Sequence, residues 1–109
     1  MKNEGFYISI SEPWDFEALN GKNIIKGNLL NIKSSKCLIF KSICNLVFEK
    51  TKHEIFILTP RYNDSFYDLG KKAITVNVGI LLTEYTNELT EFDLINNSIF
   101  KFIGNIYND

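Results

Sequence analysis

Apolar and polar residues alternate through Gly5 to Ser11, with Phe6, Ile8 and Ile10 on one side and Tyr7, Ser9 and Ser11 on the other. This is the period-two pattern of a half-buried β-strand. The stretch Glu12-Pro-Trp-Asp-Phe-Glu-Ala-Leu-Asn-Gly21 breaks it: proline stops the strand, and Asn-Gly marks a turn. Trp14 to Leu19 is left for an irregular segment or one helical turn, with Trp14 and Phe16 plugging one end of the core. Asn23 to Lys33 reads as a second strand of mixed facing. Ile24, Leu30 and Ile32 share one parity and Ile25 and Leu29 the other, which a bulge or bend at Gly27 would reconcile.

Ser34-Ser-Lys36 is a tight connection into Cys37-Leu-Ile-Phe-Lys-Ser-Ile-Cys44, whose continuous apolar start predicts burial on both faces. Asn45 to Glu49 either continues that strand after a kink or forms a separate one, and Lys50 to His53 reads as a polar turn. Glu54 to Leu58 and Ala73 to Leu82 carry the densest β-branched and apolar content and are expected to lie central in the sheet. Between them Asn63 or Asp64 is a candidate cap for a short helical turn over Ser65 to Leu69, with Gly70 placed to end it in the left-handed conformation. Thr90 is a candidate cap for a helix over Glu91 to Asn96, whose first turn holds Glu91 and Asp93 where the helix dipole favours acids. Ser98 to Tyr107 is the last strand, with Phe100, Phe102 and Ile106 on one face and Gly104 between.

These elements predict a mainly β, single-domain protein: an antiparallel β-barrel or curved β-sandwich of six to seven strands with one or two short helices. The helical patterns are too short for crossovers between parallel strands. With 109 residues and 45% apolar composition, the chain can bury a core without staples. No apolar run approaches the roughly 18–20 residues of a membrane-spanning helix. The first residues lack a signal peptide's apolar core, so a cytoplasmic location is expected.

Charge changes the picture at the C-terminal end. Residues 1–72 hold 11 basic against 8 acidic groups, whereas residues 73–109 hold Lys101 against five acids. Glu84, Glu88, Glu91 and Asp93 fall within ten residues that contain no Lys or Arg, which favours a basic partner and disfavours nucleic acid there. The alternative is a solvated loop and helix.

Candidate chemistry is sparse. Cys37 and Cys44 read as small buried hydrophobes on opposite faces and, with the single histidine His53, make no metal-ligand set; no cofactor is implied. His53 in a lysine-rich turn reads as exposed rather than as a general base. The pair Asp15 and Glu17 beside Trp14 has nothing nearby to raise a carboxylate pKa, so no enzyme is expected. The most distinctive loop, Thr59 to Gly70, carries the only arginine, Arg61, with Tyr62, Asp64, Tyr67 and Asp68. It reads either as an interface anchor or as a loop pinned by a salt bridge from Arg61 to Asp64 or Asp68. Small barrels also bind single strands through lysines and rings, but here the lysines are scattered and the isoelectric point is near 5.8.

At Glu12-Pro-Trp-Asp-Phe16, with Gly21, Asn23 and Gly27, and again at Thr59-Pro-Arg-Tyr62, the chain resembles small bacterial immunity proteins of contact-dependent growth-inhibition and other polymorphic toxin systems. Such proteins share no common fold, so the resemblance carries no residue roles. It implies a non-enzymatic protein that binds and blocks a cognate toxin domain, often a nuclease with a basic active site. On that reading the partner-binding candidates are Asp15, Glu17, Arg61, Tyr62, Asp64, Tyr67, Asp68, Glu84, Glu88, Glu91 and Asp93. The competing expectation is a β-barrel that binds a small ligand or single-stranded nucleic acid.

Overall fold

The computed structural model describes residues 5–11, 23–48 and 50–108. Six strands follow one another: β1 (Phe6–Ile10), β2 (Ile24–Ser34), β3 (Cys37–Phe48), β4 (Thr51–Pro60), β5 (Ile74–Leu81) and β6 (Ser98–Asn108). Each pairs antiparallel with the next, and β6 returns to pair with β1, so the sheet closes into a barrel. The barrel, not the sandwich, is the solution. Among the described residues closure gives each of the six strands two neighbours and leaves none of them as an edge for a foreign strand to pair with, so β4 and β5 are no more central than the rest.

Alternation along each strand sends one set of side chains inward. Phe6, Ile8 and Ile10 of β1 meet Ile25 and Leu29, Leu38 and Phe40, Phe56 and Leu58, the Ile74–Ile80 even positions of β5, and Phe102 and Ile106. Phe6, Phe40, Phe56 and Phe66 are fully buried, so the interior is filled by rings, each of which costs about 3–5 kcal/mol to truncate. The close fit shows at Gly27: a Cβ there would sit 2.6 Å from the Phe40 ring and against the Lys41 carbonyl.

Irregularities in three of the strands set which residues face inward. In β2 the register shifts between Leu29 and Asn31, not at Gly27, and this carries Ile32 to the interior while Ile24 and Leu30 stay outside. In β3 the pairing with β4 is interrupted between Lys41 and Leu46, yet the strand runs on to Phe48, so Asn45 to Phe48 is its continuation. In β6 the shift opposite Val78 and Gly79 turns Phe100 to the outside, so it does not share a face with Phe102 and Ile106.

Thr51 to His53 belong to β4, with Lys50 left in the turn at φ 68°; the expected polar turn is shorter than Lys50 to His53. Between β4 and β5 a 3-10 turn covers Phe66–Asp68, capped by Ser65 rather than by Asn63 or Asp64. Gly70 does not take the left-handed conformation; among the described glycines only Gly5 does. Helix α1 (Glu91–Asn96) starts at Thr90 as expected. Trp14 and Phe16 lie outside the described residues.

Candidate functional site

The outer wall of the barrel carries a second, smaller apolar layer. Cys37, Ile39, Ile57 and Leu81 point outward, and Leu94 of α1 covers them, with Ile55, Tyr85, Leu89 and Phe100 packed alongside. That is why β3 opens with an unbroken apolar run: Leu38 and Phe40 face the interior while Cys37 and Ile39 face α1.

Residues 82–97 are fastened to the barrel by backbone and side-chain bonds. The Leu82 amide donates to the Asn97 carbonyl at 2.8 Å, closing the segment into a loop next to the end of α1. Lys33 Nζ donates to the Asn87 carbonyl at 3.1 Å, and the Tyr85 hydroxyl donates to Asn87 Oδ1 at 2.9 Å. Helix α1 opens with a reciprocal capping box: the Asp93 amide donates to Thr90 Oγ1, and the Thr90 amide donates to the Asp93 carboxylate, each at 3.1 Å. Hydrogen bonds from Thr90 to the carboxylate, first from its backbone amide and then from its side chain, hold the Asp93 carboxyl below its ordinary pKa. Ser34 Oγ donates to the Glu91 carboxylate, tying the helix to the end of β2.

The four acids therefore divide. Glu91 and Asp93 are engaged in holding α1, whereas Glu84 and Glu88 are exposed and take part in no side-chain bond among the described residues. The same segment also carries exposed apolar side chains that the charge pattern alone does not announce. A helix of six residues with Leu94 buried must turn Phe92 and Ile95 the other way, since positions three apart share a face. Phe92 is 74% exposed, Ile95 38% and Leu82 56%. The spacing of Leu94 against Phe92 and Ile95 was the signal available in sequence for this surface.

The loop from Arg61 to Ala73 sits over one barrel mouth, which Phe66 and Leu69 fill. The expected salt bridge from Arg61 to Asp64 or Asp68 does not form: Asp64 bridges to Lys72 at 2.8 Å and takes Lys36 Nζ on its carbonyl at 2.5 Å, while Arg61 Nη1 donates weakly, at 3.4 Å, to Asn77 Oδ1. The Asp64 carboxylate raises the pKa of Lys72. Tyr62 and Tyr67 are both 66% exposed, and Asp68 is half-buried. Asp15 and Glu17 lie outside the described residues, so nothing here joins them to either surface.

The two cysteines differ. Cys37 is buried beneath α1, and desolvation, reinforced by Glu91, pushes its thiol up to about 11. Cys44 is exposed, contrary to its reading as a buried hydrophobe, because the β3 irregularity lifts Ile43 and Cys44 off the wall beside a groove of about 210 Å³ that they share with Ile24 and Lys26. His53 is half-buried in β4, and burial lowers its pKa. Among the described residues no three His, Cys, Asp or Glu side chains gather into a cluster, and no helix is long and apolar enough to cross a membrane.

No protein-family model, curated protein or solved structure matches this chain.

Proposed function

We propose that this barrel is an immunity-type binding protein, which neutralises a cognate bacterial toxin domain, a nuclease with a basic active site, by occluding that site in the cytoplasm. The observation that carries the reading is Phe92, a large aromatic side chain held out to solvent by a capped helix, in a segment whose Leu82, Ile95, Glu84 and Glu88 are also exposed. Aromatic anchors surrounded by polar groups are the usual core of a protein interface, and exposed carboxylates speed encounter with a basic partner. The barrel is the scaffold, not an enzyme.

The test is co-expression with the toxin domain encoded beside the gene, and association kinetics with that domain at low and high salt. The parent protein should protect cells and associate more slowly as salt rises. Phe92→Ala should weaken binding about tenfold or more, and Glu84→Gln with Glu88→Gln should slow association while leaving folding intact. Absence of protection by the parent protein overturns the reading; full protection by Phe92→Ala moves the contact to Tyr62 and Tyr67.

One observation favours the competing reading of a nucleic-acid-binding barrel. Tyr7 and Tyr107 stack across the β1–β6 seam with centroids 5.5 Å apart, and Lys26 Nζ lies 5.9 Å from the Tyr7 centroid. A ring pair with a neighbouring cation is the kind of platform on which single-stranded bases stack. Fluorescence anisotropy with a labelled oligothymidine decides it: salt-sensitive binding lost in Tyr107→Ala would favour this reading over the first.

A further inference from the structure

A groove of about 380 Å³ runs along the outer wall between β2–β4 and the segment that follows β5. This is near the lower end of ligand clefts, roughly 300–1,000 Å³, and suits one long side chain or a short peptide stretch. Its apolar walls are Leu30, Ile55, Leu81 and Tyr85, of which Ile55, Leu81 and Tyr85 also belong to the layer beneath α1. Its charged groups are Glu54, Glu84 and Lys41. None of the three makes a side-chain hydrogen bond or ion pair in the described residues, where the one bridge is Lys72 to Asp64.

The local fold explains why these charges are left without partners. Lys41 pairs with Ile55 and Leu46 with His53, so four residues of β3, Ser42 to Asn45, stand opposite Glu54 alone. That excess leaves Glu54 with no paired residue on β3. Glu84 comes from the other wall, two residues beyond Leu82, whose amide is tied to Asn97.

We propose that this groove receives a lysine or arginine side chain from the protein partner, the aliphatic stem lying along Ile55, Leu81 and Tyr85 and the cationic end lying towards Glu54 and Glu84. The inference rests on the protein-binding reading above and names its chemistry: the groove is a socket for one cation. Two carboxylates against one ammonium give it a net negative charge, so it attracts a cation and repels an anion. Long cationic side chains suit it because they cover apolar surface with their methylenes while keeping the charged end wet. Lys41 limits occupancy, since its ammonium lines the same groove and repels an incoming cation.

The experiment is an NMR titration of the full chain with two probes, acetyl-Leu-Arg-Leu-amide and acetyl-Leu-Glu-Leu-amide. The arginine probe should shift the resonances of Ile55, Leu81 and Tyr85, and the glutamate probe should not. Glu54→Gln with Glu84→Gln should weaken the arginine probe about tenfold, and Lys41→Met should tighten it several-fold. A preference for the glutamate probe, loss of arginine binding in Lys41→Met, or no shift at the groove with either probe overturns the proposal. Cell protection is scored separately with the same variants. Protection unchanged in a variant whose groove no longer takes the probe would sink the socket and leave the immunity reading standing, whereas probe binding without protection by the parent would do the reverse.

Discussion

The ring of Phe100 lies over Gly79 across the β5–β6 ladder: a Cβ built on Gly79 would meet Phe100 Cε1 at 2.7 Å. The register shift beside Val78 sends Phe100 outward at this point, and the bare glycine gives the ring its place between the wall and α1. Gly79→Ala should therefore destabilise by about 1–3 kcal/mol, the usual cost of overpacking. Gly79→Ala with Phe100→Leu should recover part of the loss, because a smaller side chain can yield. Gly104→Ala should not be rescued in this way, since a Cβ there meets the Ser9 carbonyl at 2.6 Å, and backbone cannot step aside. Denaturant melts of Gly79→Ala and Gly104→Ala, each alone and with its neighbouring side chain trimmed (Phe100→Leu and Ile8→Val respectively), check the order; equal rescue at both positions would contradict it.

Thr90→Ala removes half of the capping box and should cost about 1 kcal/mol. Asp93→Asn should cost stability at neutral pH and cost nothing in acid. The sign follows from the depressed folded pKa: the contribution is present above the unfolded value of 3.8 and disappears as pH falls through the lower folded value. Thermal melts of parent and Asp93→Asn should differ at pH 7 and converge as the pH is taken progressively below 3.8.

Native protein should show one thiol that reacts rapidly with a disulfide reagent at pH 8, and denatured protein two. Cys44 is exposed, whereas Cys37 is buried under Leu94 and its thiol is pushed up to about 11, so almost no nucleophilic thiolate forms there. Cys44→Ser should abolish the fast phase. Two fast thiols in the native state would mean that α1 leaves the wall readily.

Arg61→Ala should leave stability within about 0.5 kcal/mol of the parent, because Phe66, Leu69 and the Asp64–Lys72 pair hold the loop and the Arg61 bond to Asn77 is long and exposed. Phe66→Ala should cost about 3–5 kcal/mol. A melting drop above about 5 °C in Arg61→Ala would show that the arginine is a structural pin after all.

Alternation and capping make much of the fold legible in the sequence itself. The strand at Phe6–Ile10, the helix at Glu91–Asn96 and the cap at Thr90 depend on backbone period and on neighbours within four residues, and these are written consecutively in the chain. Closure, facing and pairing were decided elsewhere. Whether β6 meets β1 depends on about 100 residues of intervening geometry, and it is this that separates a barrel from a sandwich. One extra residue in a ladder reverses every later side chain, so Phe100 and Ile32 changed faces at bulges fixed by their partner strands. The acidic run looked uniform until tertiary contacts assigned it. Glu91 met Ser34, which is 57 positions away, Asp93 met Thr90, and Glu84 was left facing a groove whose other carboxylate, Glu54, belongs to a different strand. A charge's role depends on what stands within a few ångströms of it, and in a sheet of long-range ladders that neighbour is set by register.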